Sequence, residues 1–339
     1  MRKSLVLGAF AVAAVAAGAA SAQTLDEVRA RGQLLCGVST GVPGFSFTDA
    51  DNNWDGFDVA VCRAVAAAIF GDADKVEFKP TTGVTRFTEL AGRQIDMLAR
   101  NTTWTFSRDV DLKFEFTGVN YYDGQGFMVP RSLGVDSALG LDGARVCIQT
   151  GTTTELNLAD FFRANGMSYD PVPIETNSEA QDRYLAEACD VYTTDVSGLA
   201  ASRSTFSNPE DHIILPEVIS KEPLGPLVRH GDNDWGDIVR WTLNAMIIAE
   251  ELGITSENVA ELASAPTDNP EINRLLGTEG EFGAMMGLSN DWAVQVISQV
   301  GNYAEVFERY IGESTPIGLE RGLNALYTDG GILYAPPFR

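Results

Sequence analysis

The sequence predicts an α/β protein built as two lobes. Three observations carry that prediction: a strand-then-helix alternation that runs twice along the chain, a length above what one hydrophobic core usually serves, and two Gly- and Pro-containing segments placed to join two lobes. The first 22 of the 339 residues have the form of a secretory signal. Met1-Arg2-Lys3 is a positive start, Leu5 to Ala20 is an uncharged apolar run, and Ala20-Ser21-Ala22 is a small-x-small cleavage site. Removing 22 residues from 339 leaves 317, expected to be exported. No Cys lies near the cleavage point, so no lipid anchor is expected, and no later stretch has the apolar length of a membrane span.

In chain order, Leu34–Val38 reads as a strand and Gly56–Phe70 as a helix, with Phe57, Val61, Val65, Ala68 and Ile69 on one face and Gly71 just past its end. Val76–Lys79 reads as a strand, Thr85–Ala91 as a short helix and Ile95–Ala99 as a strand. Beyond Pro130 the pattern restarts. Arg145–Gln149 is a strand, Thr153–Ala164 a helix stopped by Gly166, Val172–Ile174 a strand, Ser178–Ala188 a helix and Asp190–Thr194 a strand. Thr152 with Glu155, and Ser178 with Gln181, have the spacing of capping boxes. Such alternation implies parallel sheets. A long helix, Trp235–Leu252, and a final seventy residues follow. The segments Tyr121–Pro130 and Ile219–Val228 are extended and hold the glycines and prolines of a connection. If the chain leaves the first lobe by one and returns by the other, that lobe is discontinuous, and the cleft suits hinge closure on a ligand.

Composition removes several classes of function. The formal net charge is −23, and −25 once Arg2 and Lys3 are lost, so nucleic acid and anionic lipid are poor partners. The two histidines, His212 and His230, belong to no metal-ligand cluster, and the four cysteines form no C-x-x-C pair, so neither a metal nor a cofactor is expected. Exported cysteines of even number should pair, and four admit three connectivities. We expect Cys36–Cys62 and Cys147–Cys189, one bridge in each half, at roughly 3–4 kcal/mol apiece by loop-closure arithmetic.

Three segments could hold a ligand. Ala99-Arg100-Asn101-Thr102-Thr103-Trp104-Thr105-Phe106-Ser107-Arg108-Asp109 follows a strand end, where open α/β sheets bind ligands, and offers guanidiniums that suit a carboxylate. Its plain alternative is a surface pair of Arg108 with Asp109 or Asp111. In Gln149-Thr150-Gly151-Thr152-Thr153-Thr154-Glu155 a strand turns through glycine into a helix whose free N–H groups favour an anion; the alternative is an ordinary capped helix. No G-K-[ST] follows, so nucleotide binding gains little. Asp195 ends the strand before the next helix, either as acceptor for an ammonium or as N-cap, and both roles are compatible. One pattern favours an enzyme: Gly37-Val38-Ser39-Thr40-Gly41 matches G-x-S-x-G. A nucleophile elbow needs a helix directly after the serine, whereas Val42-Pro43-Gly44-Phe45-Ser46-Phe47 reads as loop.

With these residues in hand, the mature chain resembles the periplasmic solute-binding proteins of polar amino acid ABC transporters, and more narrowly the general L-amino-acid-binding branch that includes glutamate/glutamine/aspartate/asparagine binders. The resemblance rests on Asp55-Gly56-Phe57-Asp58-Val59-Ala60-Val61-Cys62-Arg63-Ala64, on Arg100-Asn101-Thr102-Thr103-Trp104-Thr105, on Gln149 to Glu155, and on a tail containing Gly301-Asn302-Tyr303, Arg321 to Leu326 and Tyr334-Ala335-Pro336-Pro337. It implies the type II periplasmic-binding-protein fold with two hinge strands and a C-terminal helical extension. The implied division is a signal peptide at 1–22, a discontinuous lobe 1 at 23–121 and 226–339, and lobe 2 at 122–225. The family's carboxylate-holding arginine falls on Arg108, its hydroxyl position on Thr103, its G-T-T turn on Thr152 and Thr153, and its ammonium-binding acid on Asp195. Relatives specific for cationic amino acids have an aspartate where this chain has Ser39 and a serine where it has Arg100. That exchange implies polar or acidic side chains (glutamate, glutamine, aspartate, asparagine), with Arg100 and, as a second candidate, Arg86 toward the distal group; Asn101 and Ser39 are also expected among the ligand-binding residues. The implied receptor is a periplasmic monomer that delivers an L-amino acid to an inner-membrane ABC permease and catalyses nothing. A dehydratase-like enzyme on the same fold and a chemosensory co-receptor are the alternative readings.

Overall fold

A computed structural model describes residues 24–339 of the chain, so the signal expected at residues 1–22 lies outside the described residues. Two five-stranded sheets define the two lobes. The first runs Val76–Thr81, Leu34–Ser39, Met97–Leu98, Leu227–Arg229 and Phe114–Phe116; the second runs Tyr169–Ile174, Ala144–Gln149, Val191–Asp195, Gln125–Pro130 and His212–Ile214.

Neither sheet is wholly parallel, which corrects the reading from alternation alone. In each, one strand opposes both its neighbours: Leu227–Arg229 in the first and Gln125–Pro130 in the second. These are the strands that directly follow the crossings between lobes. The other central strands point their carboxyl ends at the cleft, so a chain entering a lobe from the cleft side must run against them. The crossings themselves pair as a two-stranded antiparallel hinge, Tyr121–Asp123 with Glu222–Leu224, in the register Asp123 to Glu222. Gly225 permits a close backbone approach there, because a Cβ on it would lie 1.9 Å from the Gly118 carbonyl oxygen.

Both disulfides form as expected, Cys36–Cys62 and Cys147–Cys189, with Cα atoms 6.1 and 5.6 Å apart. The first ties the strand Leu34–Ser39 to a helix of the same lobe, and the second ties Ala144–Gln149 to the residues just before Val191–Asp195. The first pins the helix Phe57–Phe70, in which all residues from Phe57 to Ala68 except Arg63 are buried. Such a helix is apolar all round because it is covered all round. The first-lobe sheet lies on one side, and the helices Asn233–Glu251, Trp292–Gln299 and Tyr303–Tyr310 lie on the other.

The C-terminal extension is therefore part of the first lobe's core. Phe57 meets the rings of Tyr303 and Phe307 edge-on at 5.7 and 6.3 Å, and Leu326, Leu333 and Phe338 are buried in the same cluster. Arg321 lies over Tyr303 and Phe307 at 5.2 and 5.0 Å while pairing with Glu250 at 2.8 Å.

Several local limits differ from expectation by one to three residues, among them Val172–Ile174, which is Tyr169–Ile174, and Trp235–Leu252, which is Asn233–Glu251. The strand expected at Ile95–Ala99 is only Met97–Leu98. The helix expected from Ser178 is Asn177–Leu185, capped by Thr176, whose side chain accepts from the Glu179 N–H; the Ser178–Gln181 box does not form. Thr152 does precede the helix Thr153–Ala164, but its side chain makes no cap bond, and Glu155 instead accepts from the Gly151 N–H at 2.8 Å. The sequence reading places Thr152 before Thr153–Ala164 and gives Thr176 no such place; which oxygen accepts from which N–H depends on the preceding turn.

Candidate functional site

The parallel strands of both sheets end on the cleft between the lobes. Ser39 closes Leu34–Ser39, the loop from Arg100 to Arg108 follows Met97–Leu98, the turn through Gly151 follows Ala144–Gln149, and Asp195 closes Val191–Asp195. All nine residues expected at the site (Ser39, Arg86, Arg100, Asn101, Thr103, Arg108, Thr152, Thr153 and Asp195) line a single cavity of about 560 Å³ of empty space, part of it open to solvent.

Three guanidiniums converge there. Arg86, only 2% exposed, donates to Thr102 Oγ1 at 3.3 Å and to the Gly151 carbonyl at 3.2 Å, and its buried Nε has no partner. Arg100 donates from Nε to the Thr81 carbonyl at 3.1 Å. Arg108 donates from Nη1 to the Thr103 carbonyl at 2.8 Å. The Phe87 ring lies under two of them, 4.7 Å from Arg86 and 5.3 Å from Arg108, which offsets part of the cost of desolvating cations. Burial drives all three down in pKa, and a neighbouring guanidinium adds to the fall at Arg86 and Arg100; Arg100 and Arg108 come to about 10 and remain cationic at neutral pH. The surface pairing open to Arg108 is not made. Asp109 instead accepts from the Trp104 indole N–H at 2.7 Å and faces His230 at 3.4 Å.

Asp195 is the acid of the cavity lining. Burial raises its carboxyl well above the usual range, Asp123 and Glu222 on the hinge push it further, and Arg108 and Arg86 oppose the rise. It occupies the N-cap position of Val196–Arg203 without making a side-chain cap bond, so its oxygens are not committed to that helix.

The loop between Arg100 and Thr103 is held from below by an acid that the sequence reading left unassigned. Asp58, buried on the Phe57–Phe70 helix, accepts from the Asn101 N–H at 3.0 Å and from Asn120 Nδ2 at 3.2 Å. Burial pushes its carboxyl up to about 6, against those bonds. Asn101 takes a left-handed φ of 41°, which asparagine tolerates better than most residues, and its Oδ1 is buried at the cavity without a partner.

On the second lobe, the Thr152 hydroxyl donates to the Gln149 carbonyl at 2.7 Å, so its proton is not available to a ligand. The N–H groups opening the helix Thr153–Ala164 have no intrahelical acceptors and sit at the positive end of its dipole. Glu222, also unassigned from sequence, is a hinge-strand acid 2% exposed. It accepts from Thr103 Oγ1 at 2.5 Å, Thr153 Oγ1 at 3.1 Å, Asn157 Nδ2 at 2.7 Å and Ser220 Oγ at 2.6 Å. No periodicity marks it: Lys221-Glu222-Pro223 reads as an exposed linker, and its burial follows from donors up to 119 residues away.

The lobes touch across this cleft. Thr103 and Thr153 Oγ1 atoms are 3.3 Å apart, and a Cβ on Gly83 would lie 2.5 Å from the Thr150 carbonyl oxygen. Nothing supports a serine nucleophile at Ser39: a tight Val42–Ser46 bridge follows it instead of a helix, His212 bonds Tyr184 at 2.9 Å, and His230 faces Asp109.

Comparison with known proteins fits this geometry. The family described as bacterial extracellular solute-binding proteins, family 3, matches residues 34–258. The chain is 62% identical over 339 residues, all of both chains, to the glutamate/glutamine/aspartate/asparagine-binding protein BztA of Rhodobacter capsulatus. It is 57% identical over 338 residues, 99% of this chain and 98% of the other, to the general L-amino acid-binding periplasmic protein AapJ of Rhizobium johnstonii. Among solved structures, a periplasmic binding protein of an ABC transporter from Brucella ovis, with glutathione bound, superposes with a TM-score of 0.91 at 53% identity, over 94% of this chain and all of that one.

Proposed function

This chain belongs to family 3 of the bacterial extracellular solute-binding proteins, and on that premise we propose that it captures L-amino acids with polar or acidic side chains in the periplasm and hands them to an ABC permease. The observation that carries the proposal is the convergence of three buried guanidiniums and Asp195, from opposite lobes, on one cavity. Arg108 and the open N–H groups of the Thr153–Ala164 helix take the α-carboxylate, a bidentate fork and a helix N-terminus being two ways of meeting the same anion. Asp195 and Thr103 take the α-ammonium. Arg86 and Arg100, with Asn101 and Ser39, face the distal group, which favours glutamate, glutamine, aspartate and asparagine over lysine and arginine. Lobe 1 is then 23–121 with 226–339, and lobe 2 is 122–225. Because the contacts come from both lobes, the ligand favours the shut form by differential binding. Relatives named as binding proteins support a receptor that does no chemistry.

Calorimetry on the mature protein with the twenty amino acids, and with reduced glutathione, which carries the same free α-amino and α-carboxylate groups, tests this. Binding of the four named amino acids, lost in Arg108→Ala with little change in melting temperature, is the expected result. Retained affinity in Arg108→Ala removes that residue from the site, and conversion of any ligand, read by mass analysis, overturns the passive reading.

A further inference from the structure

We propose that Glu222 is a positioning residue that sets the hydrogen-bonding polarity of the cleft, turning the Thr103 and Thr153 hydroxyls into acceptors and so making an ammonium subsite. The inference rests on the amino-acid reading above and deepens it.

A threonine hydroxyl has one proton and two lone-pair acceptor sites, and a ligand sees whichever its neighbours leave free. Thr103 Oγ1 lies 2.5 Å from Glu222 Oε2, so its proton is spent there. Thr153 Oγ1 has two possible acceptors, Glu222 Oε2 at 3.1 Å and Thr103 Oγ1 at 3.3 Å; the carboxylate is both nearer and the stronger acceptor. Both hydroxyls therefore offer only lone pairs to the cavity they line. The other carboxylate oxygen is held by donors as well, Asn157 Nδ2 and Ser220 Oγ, so the whole group sits as an acceptor among four donors. Glu222 is itself outside the cavity lining and reaches the ligand only through the two threonines.

An α-ammonium has three N–H donors. Asp195 with the two polarised hydroxyls gives three acceptors in one cavity, drawn from both lobes and held by an acid on the hinge between them. Hydroxyls so oriented repel a carboxylate, which fixes the direction of the amino acid in the cleft: the ammonium lies on the hinge side, and the α-carboxylate goes to Arg108 and the helix N-terminus.

The experiment compares L-glutamate with glutarate, the same dicarboxylate without the amino group, by direct and competition calorimetry on the mature protein and on Glu222→Met, which removes the acceptor at similar length. The expected result is a roughly ten- to hundredfold loss of affinity for L-glutamate, the scale of charge-assisted hydrogen bonds, with glutarate unchanged or tighter. An equal loss for both ligands, or none for L-glutamate, overturns the assignment, because a purely structural role does not discriminate between them. Should Glu222→Met fail to fold by its melting curve, Thr153→Val decides: it removes one hydroxyl and must also lower the L-glutamate to glutarate ratio. Failure of the wild-type protein to bind any amino acid is a different outcome and strikes the proposed function instead.

Discussion

Arg86 of the first lobe donates to the carbonyl oxygen of Gly151 in the second, 3.2 Å away. That bond spans the cleft at the point where Gly83 and Gly151 approach closely enough that a side chain on Gly83 would strike the Thr150 carbonyl. The guanidinium we assign to the ligand's distal group thus also ties the lobes together, so in the proposed site closure and recognition share one residue.

A Gly83→Val substitution is expected to hold the lobes apart. Its branched side chain must displace second-lobe backbone, which does not give way as a flexible side chain would. Affinity for L-glutamate should fall by at least tenfold, and the ligand-dependent contraction expected of the wild-type protein in small-angle scattering should be lost, while the melting temperature without ligand stays within a few degrees.

Arg100→Ser is expected to separate acids from amides. The substitution removes a buried cation of the cavity lining, the one the proposed function assigns to the ligand's distal group. Affinity for glutamate and aspartate should fall about tenfold more than that for glutamine and asparagine, since a charge-assisted bond is roughly twice as strong as a neutral one. Equal losses across the four ligands in calorimetry contradict the placement of Arg100.

Affinity should weaken as pH falls. Burial and the hinge acids raise Asp195 in the unliganded cleft, and burial, with Glu222 opposite it, brings Asp123 up to about 6. In the proposed site an ammonium is held by ionised Asp195, so binding should release a proton whenever that carboxyl is protonated in the free protein. Titrations between pH 8 and pH 6, in buffers of different ionisation enthalpy, should show proton release and falling affinity for L-glutamine, whose own groups carry no titration in that range. Folding stability moves the other way for two groups. Asp58 and Asp123 have folded values of about 6, above the usual carboxyl value of 3.8, so their contribution is fully present below that lower value and is lost as pH rises through 6.

Removing either disulfide should cost about 3–4 kcal/mol by the loop-closure relation for separations of 26 and 42 residues. Paired Cys→Ser variants read by chemical denaturation test this. The Cys36–Cys62 pair should matter more for ligand affinity, because its helix also presents Asp58 to the Asn101 loop.

Much of this protein was legible before its fold. Alternating strand and helix patterns located the lobes, and the hinge segments announced themselves by glycine and proline. Arg108 and Asp195 could be placed at the cleft because strand ends and the turns after them are local features, and in α/β sheets they face the ligand side; Ser39 was reached only through the family resemblance.

The rest depended on contacts between distant segments. One strand of each sheet is reversed because of where the chain enters the lobe, a property of the path and not of any window of residues. The burial of the Phe57–Phe70 helix on its second side needed the Tyr303 and Phe307 rings to return from the C-terminal extension. Glu222 stands in a stretch that looks like an exposed linker; its role exists only because Thr103, Thr153, Asn157 and Ser220 arrive from separate parts of the chain with their donors turned toward it. Periodicity and turn chemistry act over a few residues and can be read in one dimension, whereas desolvation and hydrogen-bond polarity are set by whatever the folded chain brings within about 3 Å.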